Sequence, residues 1–230
     1  MHVWAAVLEE APVTRLRTLL SKEEIIRADR FYSKVDGGHF TASRGYLRAI
    51  LGHYLNEEAK ALEFGYGSHG KPNLIGNNEE KLEFNLTHSN GLALYAVSLN
   101  RPLGIDVEHI GREVAHEQVA RRFFSDKEVD ALLSLPENKR RDGFFHCWTR
   151  KEAFIKAIGM GLSFSLKDFD VTVKGPAQLL AVRSDSEEAS RWQLKAVRPA
   201  EDYVGALSVS GSDWSLERWQ IPKAFGLDFV

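Results

Sequence analysis

Apolar positions along the chain recur at two periods, and the switches between them mark the elements. Residues 2–8 (HVWAAVL) are apolar and rich in β-formers, and Glu9, Glu10 and Pro12 close the run, so a strand is expected. Ser21 and Glu24 have the spacing of a capping box, which starts a helix running through Arg30. Between 38 and 55, Phe40, Leu47, Ile50, Leu51 and Tyr54 recur at helical spacing. Residues 64–78 carry Gly65, Gly67, Gly70, Pro72 and Gly76 and predict loop or very short strands. Residues 81–89 (KLEFNLTHS) then alternate, and 91–99 (GLALYAVSL) read as a buried strand. After an Arg101-Pro102 turn, 104–110 (GIDVEHI) form another short strand. Helices are expected at 114–124, at 125–135 behind a second capping box (Ser125, Glu128), and at 144–158, where Gly159 ends the last one. The segments 168–173, 177–183, 191–197 and 203–210 are strand-like.

A faint repeat orders these elements. Residues 44–50 (RGYLRAI) line up with 152–158 (EAFIKAI). Arg30-Phe31-Tyr32 precedes the first copy and Arg122-Phe123-Phe124 the second. Similar strands, ALYAVS and GALSVS, follow each copy by about fifty residues. The repeat predicts an α+β fold of two pseudo-symmetric halves, 1–103 and 104–230, each an antiparallel sheet packed with helices, with the active site in the cleft between them. Two unrelated amphipathic helices would give the same likeness by chance.

Composition narrows the function. Thirty basic residues against thirty-two acidic ones leave a net charge of −2, which argues against nucleic-acid binding driven by bulk positive charge. One cysteine excludes an internal disulfide framework and a multi-cysteine metal site. The longest apolar run is strand-sized, so no membrane span is expected, and the N-terminus lacks a basic region ahead of its short apolar run. A cytoplasmic protein is the expectation.

Three stretches carry candidate chemistry. In Gly104-Ile105-Asp106-Val107-Glu108 the two carboxylates share one strand face, about 6.6 Å apart along the backbone, with Ile105 and Val107 turned into the core. Like charges this close favour a cation between them, and hard oxygens favour Mg²⁺ or Mn²⁺; an ordinary solvated edge strand has the same pattern. On the helix after Trp148, Glu152 and Lys156 are four apart and share a face, as a surface ion pair would. A third carboxylate beside Asp106 and Glu108 would complete a Mg²⁺ site, and a lysine beside it suits a phosphate. Lys71-Pro72 in its glycine-opened loop, the donor-rich Asn85-Leu86-Thr87-His88-Ser89, and Arg27, Arg30, Arg44 and Arg48 are candidate anion contacts. Cys147 reads as a small buried hydrophobe.

The order GKP, FNLTHS, GIDVE and WTRKEAFIKAIGMGLS closely resembles the Sfp-type 4′-phosphopantetheinyl transferases, in motif order from about Arg27 to Ser165. The resemblance implies transfer of 4′-phosphopantetheine from coenzyme A to a serine of an apo acyl or peptidyl carrier protein, the holo-[acyl-carrier-protein] synthase reaction, with release of adenosine 3′,5′-bisphosphate. It implies a monomer of two similar α+β halves, serving fatty acid, polyketide or non-ribosomal peptide carriers. Asp106, Glu108 and Glu152 would bind Mg²⁺ together with the pyrophosphate of coenzyme A. Lys156 would contact the phosphates, Lys71, Pro72, Thr87 and His88 the nucleotide part, and Arg27 or Arg44 the 3′-phosphate. Glu152 is the candidate base for the serine proton. Thr87 stands where serine is common, and His39 where a basic residue is common. Another Mg²⁺-dependent coenzyme A or nucleotide transferase and a non-catalytic carrier-docking module remain as alternatives.

Overall fold

The computed structural model describes residues 1–76, 81–111 and 113–222. The end of the expected loop at 64–78 therefore lies outside the described residues. In chain order the elements are β1 (His2–Val7), α1 (Val13–Arg17), α2 (Lys22–Asp29), α3 (Lys34–Leu55), β2 (Phe64–Tyr66), β3 (Pro72–Leu74), β4 (Leu82–Ser89), β5 (Leu92–Leu99), β6 (Leu103–His109), α4 (His116–Phe123), α5 (Asp126–Leu133), α6 (Glu137–Ile158), β7 (Phe169–Val171), β8 (Leu179–Val182), β9 (Trp192–Val197), β10 (Tyr203–Ser210) and β11 (Glu217–Gln220).

Both long helices start earlier than their apolar spacing predicts. Ser33 caps α3 by accepting the Asp36 amide, and Pro136 opens α6. Their first turns are polar and lie against solvent, so they carry no apolar stripe to read. Both capping boxes form: Ser21 with Glu24 ahead of α2, and Ser125 with Glu128 ahead of α5. Gly159 ends α6 in the left-handed region at φ 70°.

Four layers result. One sheet has the order β11-β1-β5-β4, and a second has β6-β10-β9. Helix α3 packs Leu47, Ile50 and Leu51 onto the outer face of the first sheet, against Phe84, Tyr95 and Val97. Helix α6 covers the second, with Phe154 and Ile155 in a core shared with Phe124 and Phe169. Between the sheets lies an apolar layer in which Val3, Leu92 and Leu94 meet Ile105, Val107 and Leu207. The α+β halves expected from the repeat are present, with one difference. Strand β11 returns to pair in parallel with β1, so residues beyond 210 complete the sheet of the first half. The halves thus interlock, and Ile221 sits in the first half's core. Cys147 is fully buried.

Candidate active site

Backbone contact brings β6 and α6 together. Gly104 opens the strand where a Cβ would lie 2.2 Å from the Ala153 carbonyl oxygen and 2.3 Å from the Ala157 nitrogen, so only glycine admits the helix this closely. Strand alternation then turns Asp106 and Glu108 toward α6 while Ile105 and Val107 enter the layer between the sheets. The Lys156 ammonium lies 2.6 Å from Asp106 Oδ1 and also reaches the Ile105 carbonyl at 3.3 Å. Glu152, one turn earlier, is half-buried. Burial raises its pKa above the ordinary value, the charges of Asp106 and Glu108 raise it further, and Lys156 pulls it down. The four charged residues picked out in the sequence therefore share one electrostatic environment.

Strand β4 meets β6 through side chains. The two strands belong to different sheets. Asn85 Oδ1 accepts the Ile105 amide at 2.9 Å, Thr87 Oγ1 donates to Asp106 Oδ1 at 3.1 Å, and Ser89 Oγ donates to Glu108 Oε2 at 2.9 Å. Ser89 Oγ also accepts the His109 amide at 3.1 Å. A period of two puts 85, 87 and 89 on the face toward β6, while Leu86 and His88 face the α3 side, so Thr87 and His88 point to opposite faces of the strand.

On the α3 side a groove of about 940 Å³ is lined by Arg27, His39, Arg44, Leu86 and His88, with Glu9, Glu23, Glu24 and Asp36 also on its walls. Arg27 is exposed, its guanidinium 5.1 Å from the Phe40 ring centre. His88, at the rim, has a pKa lowered by its packed surroundings and by the charges of Lys156 and His39. Arg44 is pinned: its Nε donates to Glu24, its Nη2 donates to the Tyr66 hydroxyl at 3.1 Å, and it lies over the Phe64 ring. Arg48 donates from Nε to Glu24 at 2.6 Å and from Nη1 to the carbonyls of Ala59 and Leu62 at 2.9 Å. It is a structural cation at 2% exposure and faces no groove. The sequence gives Glu24 only its capping-box role, although Arg44 and Arg48, four apart on one helix face, call for a buried anion.

Lys71 is held by backbone carbonyls. Its ammonium donates to the carbonyls of Leu103 (2.9 Å) and Ala157 (3.1 Å), tying the β2–β3 hairpin to both β6 and α6, and burial pulls its pKa down. Two of its three protons are thus committed to backbone. Lys71 and Pro72 still line a 290 Å³ cavity together with Asn85, Leu86, Glu152 and Lys156, so this hairpin closes one wall of the cleft. The other lysine of the motif, Lys151, is fully buried, 2.8 Å from Glu128 and bonded to the carbonyls of Leu166 and Phe169.

The carboxylates do not stand as a ready-made cage. Among the described residues no three His, Cys, Asp or Glu side chains converge as metal ligands do, because Asp106 turns one oxygen to Lys156 and Thr87. Its other oxygen, Oδ2, is buried without a hydrogen-bond partner. A buried anionic oxygen without a donor is costly, and a hard cation would satisfy it. The donor set fits Mg²⁺: oxygen ligands only, and three carboxylates whose mutual repulsion shows in Glu152.

Comparison with known proteins identifies the family. Residues 102–208 match the family model of the 4′-phosphopantetheinyl transferase superfamily. The chain is 38% identical over 225 residues to the 4′-phosphopantetheinyl transferase HetI of Nostoc sp. strain PCC 7120, covering 95% of this chain and 91% of that protein. It is 30% identical to the 4′-phosphopantetheinyl transferase Sfp of Bacillus subtilis strain 168, over 75% of each chain. The solved holo-[acyl-carrier-protein] synthase of Thermotoga maritima overlaps 47% of this chain and 62% of its own, at TM-score 0.39 and 28% identity. With the motif order and near-full-length similarity to HetI in accord, the chain belongs to the 4′-phosphopantetheinyl transferase family.

Proposed function

We propose that this transferase moves 4′-phosphopantetheine from coenzyme A to the serine of an apo acyl or peptidyl carrier protein, working as a cytoplasmic monomer on Mg²⁺-bound coenzyme A at Asp106, Glu108, Glu152 and Lys156. The observation that carries the reading is the Lys156–Asp106–Glu152 constellation, with an unpartnered carboxylate oxygen at its centre. Asp106, Glu108 and Glu152 would hold Mg²⁺, which would supply neutralisation of the diphosphate charge that repels an incoming hydroxyl. The serine oxygen attacks the phosphorus on the pantetheine side, and the bond to adenosine 3′,5′-bisphosphate breaks. Lys156 meets the charge that builds on the departing phosphate. Glu152, one turn before Lys156 on the same helix face, takes the serine proton directly or through water. Arg27, Arg44, His39 and His88 line the groove that would receive the 3′-phosphate end, and Lys71 and Pro72 form the wall beside the nucleotide.

Incubation with coenzyme A, Mg²⁺ and a panel of apo-carriers from fatty acid, polyketide and non-ribosomal peptide systems tests the reading by intact mass. A gain of one phosphopantetheine on a carrier serine, lost with Asp106→Ala, is expected. Carriers left unmodified across the panel at millimolar Mg²⁺ would refute it.

A further inference from the structure

We infer that Thr87 and Ser89, on the first half's β4, are positioning residues for the carboxylates that the second half presents. The inference rests on the proposed metal reading and goes beyond it, since it assigns the seam between the halves a part in metal affinity. Each hydroxyl has one carboxylate: Thr87 Oγ1 sits 3.1 Å from Asp106 Oδ1, and Ser89 Oγ sits 2.9 Å from Glu108 Oε2. The pairs share a register, because residues two apart on β4 meet residues two apart on β6. Both hydroxyls are themselves held in place. Thr87 is 6% exposed, and Ser89 Oγ accepts the His109 amide while donating to Glu108.

The direction of these bonds matters. Thr87 and Lys156 both take Asp106 Oδ1, which leaves Oδ2 as the oxygen without a partner. Removing the Thr87 hydroxyl takes away one of the two side-chain bonds on Oδ1 and loosens that orientation. The Ser89 hydroxyl fixes Glu108 in the same way. Groups that hold metal-binding carboxylates by hydrogen bonds typically contribute ten- to a hundredfold in metal affinity.

The test uses the full-length protein with Mn²⁺ as the probe, titrated in the presence of coenzyme A without carrier, and free Mn²⁺ read by electron paramagnetic resonance. Thr87→Val and Ser89→Ala should each weaken Mn²⁺ about ten- to a hundredfold. Thr87→Ser and Ser89→Thr, which keep the hydroxyl, should bind as the parent does. A purely structural seam would instead lower the melting temperature and leave the Mn²⁺ curve in place, and that outcome overturns the proposal. Should Thr87→Val fail to fold, Ser89→Ala at the strand's half-exposed end decides alone. Glu108→Gln separates the two levels: weakened Mn²⁺ in Glu108→Gln with unchanged curves in Thr87→Val and Ser89→Ala overturns the positioning role while sparing the metal site. Unchanged binding in Glu108→Gln and Asp106→Asn as well overturns both.

Discussion

Glu24→Gln should cost far more stability than its distance from the reaction suggests. The carboxylate is 7% exposed and accepts from the guanidinium Nε of both Arg44 and Arg48, while also closing the capping box on the Ser21 amide. Glutamine preserves that cap but removes the charge, leaving two nearly buried guanidinium groups without a counterion. Breaking a buried pair typically costs about 3–5 kcal/mol. For a chain of this size each kcal/mol moves the melting temperature by about 2–4 °C, so a loss of about 6–20 °C is expected by circular dichroism at pH 7. The pH dependence carries a second signature. Burial alone would raise the Glu24 pKa, but the hydrogen bonds from Arg48, the Ser21 amide and Arg44 outweigh it and set it below the ordinary 4.5. A depressed folded-state pKa gives stability that is present above the unfolded value and lost as pH falls through the folded one. The gap between parent and Glu24→Gln should therefore be full above pH 4.5 and narrow below it. A melting temperature within about 2 °C of the parent at pH 7 would refute the argument that one anion neutralises both arginines.

Gly104→Ala forces a methyl into the Ala153 carbonyl, and overpacking of that kind costs about 1–3 kcal/mol; urea melts should show it, together with a fall in transfer as Lys156 and Asp106 are pushed apart. Lys156→Ala should lower kcat much more than it raises the KM for coenzyme A, as steady-state kinetics would show, because its charge is needed as the leaving group develops. A raised KM alone would make Lys156 a ground-state contact. Arg44→Gln should weaken coenzyme A but leave 3′-dephospho-coenzyme A nearly unaffected, at about 1.5–3 kcal/mol for a charge-assisted contact; equal losses on the two substrates would remove Arg44 from the 3′-phosphate site.

Much of the fold was legible because local rules and tertiary packing agree. The two capping boxes, the glycine that ends α6 and the alternation in β4 and β6 are short-range signals, and each has its counterpart in the structure. The misses have a common cause in long-range pairing. Strand β11 is four exposed residues with no apolar pattern, held by its ladder to β1 and by Trp219 stacked on Trp4, contacts that no local signal announces. Lys71 looked available because it lies among glycines, yet the carbonyls it binds come from residues 32 and 86 positions away. The pleat sends Thr87 and His88 to opposite faces, and the sequence carries a signal of it: Asn85, Thr87 and Ser89 are three small polar side chains at a spacing of two.

The seam has a mechanical consequence. On one side β6 is fastened to β10 by a continuous backbone ladder and to α6 by the close approach at Gly104, so strand and helix move as one body. On the other side β4 reaches it through three side chains, Asn85, Thr87 and Ser89, whose bonds can lengthen without unravelling a strand. Any breathing of the cleft, to admit a long thiol-tailed donor or release a bisphosphate, should yield along that line. The Ile105 amide, whose acceptor is the Asn85 side chain, should then exchange with deuterium faster than amides in the β6–β10 ladder. The site's stiff wall and its compliant wall are thus set by which strand lends backbone and which lends side chains.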